Sequence, residues 1–264
     1  MFKELFHFKK EGESEEEKRR DGVEWQEGSK SHLKKGVRPI MACVETREQL
    51  EKNPNVETAM FSDDETEKQN MKEIDYYGRP EDLNKQNFKN AGYESYVIST
   101  IDDSNKFSKS FKNCTGLVVS GVDKETGKNI SFISHEDPGY FLDQRENKNR
   151  FVHDLEQQLR EFKERSDEGT IDAVIVGGNY FKSGDYRIDY LSSIELLSDE
   201  ISKVLGFKPL VMTGPKTAHG SDSIFFENDN KRLYIVRPEV GDKTTESYMP
   251  NELDKQKKKW PIRD

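Results

Sequence analysis

The chain has 264 residues, of which 32% are hydrophobic and 35% charged, and a net charge of −9. An acidic chain with pI near 5.3 lacks the basic field that neutralises phosphates, which excludes general nucleic-acid binding. No apolar run approaches the ~20 residues of a membrane span, and a mean hydropathy of −0.97 predicts a core confined to part of the chain, with a solvated arm outside it.

In chain order, residues 1–92 read as a polar, partly ordered arm with charge runs at 11–20 and 62–70. Phe2, Leu5, Phe6 and Phe8 are interrupted by Lys, Glu and His, so the start is no signal peptide and reads as a short docking helix. The apolar exception is 38–44, a strand or a docking segment. From 93 the pattern changes. Residues 93–100, with Tyr96, Val97 and Ile98, read as a strand. Two β-rich runs, 114–122 and 129–135, flank a polar turn with Gly127 near its end and form a hairpin.

Phe151, Val152, Leu155, Leu159 and Phe162 recur at helical spacing and predict a helix over 147–166. The run 171–176 is a buried strand that ends at Gly177-Gly178 in a tight turn. A second helix is expected over 188–206, and strands at 210–213, 223–226 and 233–236. Residues 239–264 read as a polar tail. The fold class is therefore layered α/β or α+β over 93–238, with a β-α-β unit in its second half.

The predicted hairpin sets Cys114 and His135 on one face. If Val122 closes on Gly127, the two are directly opposed; if Asp123 closes on Lys128, they are diagonal neighbours. Opposed Cβ atoms lie about 4.5–5.5 Å apart and diagonal ones about 7–8 Å, so either register brings a thiol near an imidazole, the minimum for a cysteine nucleophile. Cys43 shares no local element with a histidine, and His32 is distant in sequence. Two widely spaced cysteines suit a reducing, cytoplasmic compartment, with a secreted effector lacking a leader as the other reading.

No Cys-x-x-Cys, His-Glu-x-x-His or dense acidic loop is present, so neither a metal nor another cofactor is expected. Gly177-Gly178 lacks the spacing of a nucleotide loop, and there is no Gly-x-Ser-x-Gly elbow. His219 lies in a loop between strands, where it lines a substrate cleft or faces solvent; His153 reads as structural; Asp185, Asp189 and Glu195 read as helix entry and exposed-face charges.

Cys114 opening a strand, the hairpin, and His135 in Ile133-Ser134-His135-Glu136-Asp137-Pro138 resemble the chemoreceptor glutamine deamidase CheD and the cytotoxic necrotizing factor deamidases. The strand, glycine pair and aromatic of 173–181, and the helix and hairpin that follow, resemble CheD in the same order, so the likeness covers roughly 93–238. It implies a layered β-sandwich-like core with flanking helices, and a cysteine amidohydrolase that converts glutamine to glutamate in a protein substrate. It also implies a third residue six positions before the cysteine, a threonine in the family and Ser108 here, which orients the histidine. The family's Gly-Ser before the cysteine is Lys112-Asn113 here, and Glu136-Asp137 replaces the apolar stretch after the histidine; both departures point to an altered substrate or a lapsed activity.

In the implied chemistry a neighbouring imidazolium lowers the pKa of Cys114. The thiolate forms a thioester, and His135 serves as acid and base. Backbone N–H groups at Cys114 or Thr115 hold the oxyanion. The alternatives are a non-catalytic protein-binding module on the same fold, or another thiol acyl transfer such as transglutamination or peptide hydrolysis. The arm implies a docking partner in every case.

Overall fold

The computed structural model describes residues 26–27, 30–46, 71–73, 89–90, 96–111, 114–138, 145–177, 185–212 and 222–237. The expected amphipathic start, the tail, and His219 lie outside the described residues.

Among the described residues the fold is mixed α and β, with two six-stranded sheets and two helices. The strands are β1 (Gln26–Glu27), β2 (Met41–Thr46), β3 (Met71–Glu73), β4 (Lys89–Asn90), β5 (Tyr96–Ile98), β6 (Asn105–Phe111), β7 (Thr115–Val122), β8 (Asn129–Glu136), β9 (Asp172–Gly177), β10 (Leu210–Met212), β11 (Asp222–Glu227) and β12 (Arg232–Arg237). Helix α1 spans Arg145–Arg165 and α2 spans Asp185–Leu205. One sheet has the order β1-β2-β12-β11-β6-β3 and the other β10-β9-β7-β8-β5-β4. The second sheet is the middle layer, with the first sheet on one face and both helices on the other.

Local chemistry accounts for the middle layer. β7 is Thr-Gly-Leu-Val-Val-Ser-Gly-Val and is paired on both edges, by β8 and β9, so it reads as a near-continuous apolar run. Asp123 builds the turn to β8: its Oδ1 accepts the backbone N–H groups of Glu125 and Thr126 at 3.0 and 2.9 Å. These bonds hold the carboxyl below its ordinary pKa. Gly127, at φ +69°, supplies the left-handed residue before β8. The hairpin therefore closes Asp123 on Lys128, with Val122 opposite Asn129. β9 and β10 are parallel and joined through α2, as the β-α-β reading expects.

Phe151, Leu155, Leu159 and Phe162 of α1 are fully buried, and α2 adds Tyr190, Ile194, Leu197, Ile201 and Val204. Each such aliphatic side chain contributes about 1.5–3 kcal/mol on burial. α2 stops at Gly206, whose φ of +86° and N–H bond to Ser202 O at 3.1 Å close the last turn.

The expected arm lends the fold a strand. β2 lies parallel to β12, and Ile40, Ala42 and Val44 pack between the sheets. The core therefore draws on residues well before 93. Ile40 N–H donates to Asp172 Oδ2 at 2.7 Å, His32 Nε2 stands 3.4 Å from Asp172 Oδ1, and His32 stacks on Phe207 with centroids 3.8 Å apart. Lys231 Nζ donates to Thr170 O at 3.1 Å and ties the β11–β12 turn to the same end. β6 was not foreseen as a strand: Asn-Lys-Phe-Ser-Lys-Ser-Phe alternates, but Lys106 and Ser108 point inward. No described helix is long and apolar enough to cross a membrane.

Candidate functional site

The hairpin register decides the geometry. Gly116 is opposite His135, and Thr115 is opposite Glu136. Continuing the count sets Cys114 two residues off His135 on the same face, the diagonal arrangement of the two that the sequence allowed. Cys114 packs in the layer between the sheets with Val97, Val118 and Ile133, and is 3% exposed. His135 is fully buried in the same strand pair.

The opposite sheet supplies the rest. β6 turns Ser108 inward beside Ile224, and Ser108 Oγ is hydrogen-bonded to His135 Nδ1 at 2.8 Å. Phe111, three residues on, stacks on the imidazole with centroids 3.8 Å apart and planes 10° from parallel. Gly116 makes room for this stack. A Cβ there would lie 2.5 Å from Ser134 O and 2.8 Å from the Phe111 ring. Phe111 and Gly116 are site residues that motif reading missed. The available signal was that Gly116 falls opposite the histidine in one of the two registers.

A second bond between the same strands lies further along. Lys106 Nζ donates to Ser131 Oγ at 3.0 Å and pairs with Asp102 Oδ1 at 3.0 Å, with further bonds to the carbonyls of Asp102 and Ser104. β6 and β8 are thus bridged twice across the sandwich, by a lysine–serine contact and by Ser108–His135.

Burial lowers the His135 pKa from its ordinary value to about 3. At neutral pH the ring is an uncharged imidazole, and this changes the chemistry expected from the sequence. A standing imidazolium does not depress the thiol in this arrangement.

Thr115 is expected from the sequence to offer its backbone N–H to an oxyanion. Its side chain turns to the helix face, where Oγ1 donates to Glu136 Oε1 at 3.3 Å and bonds Ser193 Oγ of α2. Burial raises the Glu136 pKa to about 8, opposed in part by hydroxyl bonds from Ser134 and Thr115. Gly177 ends β9 for a packing reason: a Cβ there would run into the Tyr190 hydroxyl. Cys43 is buried on the outer face of its sheet, opposite Tyr234 and away from Cys114, and neither cysteine is in a disulfide. His153 is exposed on α1.

A cavity of about 660 Å³ lies at the far end, beside His32 and Phe207. Two of its lysines, Lys124 and Lys163, donate to the carbonyls of Glu164 and Val204 near the C-terminal ends of α1 and α2. They serve there as helix caps.

No protein-family model matches the chain, and no curated protein sequence matches it.

Proposed function

We propose that the chain is a cysteine-dependent amidohydrolase that deamidates glutamine side chains of a protein substrate. The observation that carries this reading is the 2.8 Å bond from Ser108 Oγ to His135 Nδ1, made across the two sheets onto the face that holds Cys114. With Nδ1–H donating to Ser108, Nε2 is the basic nitrogen. It takes the thiol proton as Cys114 Sγ bonds to the amide carbon.

The carbonyl π electrons move to oxygen, and the resulting oxyanion is held by the backbone N–H of Cys114, just ahead of the paired strand. Collapse breaks the C–N bond, and the imidazolium proton leaves with the amine as ammonia. Water, deprotonated by the same nitrogen, then cleaves the thioester to glutamate and restores the thiol. Stacking on Phe111 and the bond to Ser108 fix the ring plane through both half-reactions.

The burial of both side chains favours one second reading, a protein-binding module whose Cys–His pair is a packing element. The rate of Cys114 alkylation by iodoacetamide, read by peptide mass spectrometry in wild type and His135→Ala, decides between them. A deamidase shows roughly tenfold or greater slowing without the base. Equal rates exclude the catalytic reading and leave the binding module.

A further inference from the structure

The residues that follow the proposed nucleophile and base are themselves a matched pair. Thr115 follows Cys114, Glu136 follows His135, and the two are direct partners in the hairpin. Side chains alternate along a strand, so this second pair lies on the reverse of the sheet from the first. Thr115 Oγ1 donates to Glu136 Oε1 at 3.3 Å and also bonds Ser193 Oγ of α2. All three residues are fully buried. A buried carboxyl is costly where an apolar residue would fill the same space, so its presence at this one register position calls for a role.

We infer that Glu136 is a positioning residue: through Thr115 and Ser193 it locks the ends of β7 and β8 together on the helix face, and so fixes the separation of Cys114 and His135 on the other. The inference rests on the catalytic use of that pair. A strand end frays unless it is held, and Cys114 sits just outside the first paired residue of β7. The latch therefore acts where the nucleophile most needs it. Burial keeps Glu136 a neutral acid up to about pH 8; above that, although a carboxylate is the better acceptor for Thr115, the cost of leaving its charge dry opens the strand ends.

Few titrating groups compete with it. From β5 the residue opposite Glu136 is Tyr96, whose hydroxyl donates to Asp154 of α1 at 2.9 Å, and burial raises the Tyr96 pKa. From β8 comes Ser134, whose Oγ accepts the Leu117 N–H. From α2 come Ser193 and, over Gly177, Tyr190.

The test is the pH profile of Cys114 alkylation by iodoacetamide from about pH 6 to about pH 10, read on the full chain by peptide mass spectrometry. Wild type is expected to follow thiolate formation and then fall short of it above about pH 8, as Glu136 ionises. Glu136→Gln keeps an acceptor for Thr115 but cannot ionise, so the shortfall disappears. Thr115→Val slows alkylation roughly tenfold at every pH, as a small misplacement of reacting groups does, and Thr115→Ser restores it. A purely structural role would lower the melting temperature of these variants and leave the profile of the folded protein in place. Wild-type profiles for Glu136→Gln and Thr115→Val, beside an altered profile for His135→Ala, overturn the inference alone. A wild-type profile for His135→Ala overturns the catalytic pair and the inference with it. Glu136→Gln is nearly isosteric and keeps the test decisive should Thr115→Val not fold.

Discussion

The middle sheet is buried on both faces, but by different materials. Toward the helices it meets Phe151, Leu155, Leu159 and Phe162 of α1 and the apolar stripe of α2. Toward the other sheet, the apolar packing of Ile40, Val118, Ile133 and Ile224 is interrupted by Lys106, Ser108 and His135, all fully buried. A layer that needed only to be stable would not bury a lysine and an imidazole. The helix layer is mainly apolar, with Thr115, Glu136 and Ser193 as its polar exception, and the sheet–sheet layer carries the buried lysine and imidazole on which the proposed chemistry depends.

The comparison breaks most readily in the helix layer. Leu155→Ala or Leu159→Ala removes a fully buried side chain and is expected to cost about 2–5 kcal/mol in urea denaturation. The alkylation rate of Cys114 in the folded protein should be unaffected.

Next come the two neighbours on β8, whose pKa values move in opposite directions. His135, lowered to about 3, binds fewer protons folded than unfolded. It therefore makes stability rise with pH from about 3 to its ordinary value near 6.5. Glu136, raised to about 8 from 4.5, binds more protons folded, so it makes stability fall from about pH 4.5 to about 8. The two slopes cancel between, leaving a rise below about pH 4.5 and a fall above about pH 6.5, each about 2 kcal/mol. Denaturant titrations across pH should find the fall abolished in Glu136→Gln and the rise abolished in His135→Phe.

Gly116→Ala sharpens the contrast from within the sandwich. Its Cβ would press Ser134 O and the Phe111 ring, for an expected loss of about 1–3 kcal/mol. Slower Cys114 alkylation should accompany it, because the imidazole stack shifts. The smallest effect on stability is expected for Ser108→Ala, about 1 kcal/mol for the bond to Nδ1, with a changed imidazole tautomer visible in ring-nitrogen NMR. Ser108→Thr, which keeps the hydroxyl, should preserve the tautomer.

Legibility in the sequence followed the same division. Both helices were apparent because one-faced apolar spacing survives in them, and the strands 171–176, 210–213 and 233–236 because each is a short continuous apolar run. They appear as Arg145–Arg165, Asp185–Leu205, Asp172–Gly177, Leu210–Met212 and Arg232–Arg237. β6 was not apparent, since its inward positions are Lys106 and Ser108 and a period-2 reading sees a polar segment. The role of β2 was hidden for another reason. A six-residue apolar patch in a polar arm does not disclose a partner about 190 residues further along the chain. Cys114, His135 and Ser108 could be singled out from hairpin parity and resemblance. Phe111 and Gly116 required the register, which the Asp123 side-chain bonds decide.

The parallel pairing of β2 with β12 has a consequence for biosynthesis. Thr46 leaves the ribosome long before its partner Arg237; at about 5–20 residues per second the wait is roughly 10–40 s. Throughout that interval the nascent chain carries Ile40 to Val44 with no neighbour on the β12 side. The segment synthesised early is among the last to be enclosed, so premature release or a stalled C-terminus leaves a sticky, half-built sheet for holdase chaperones to shield.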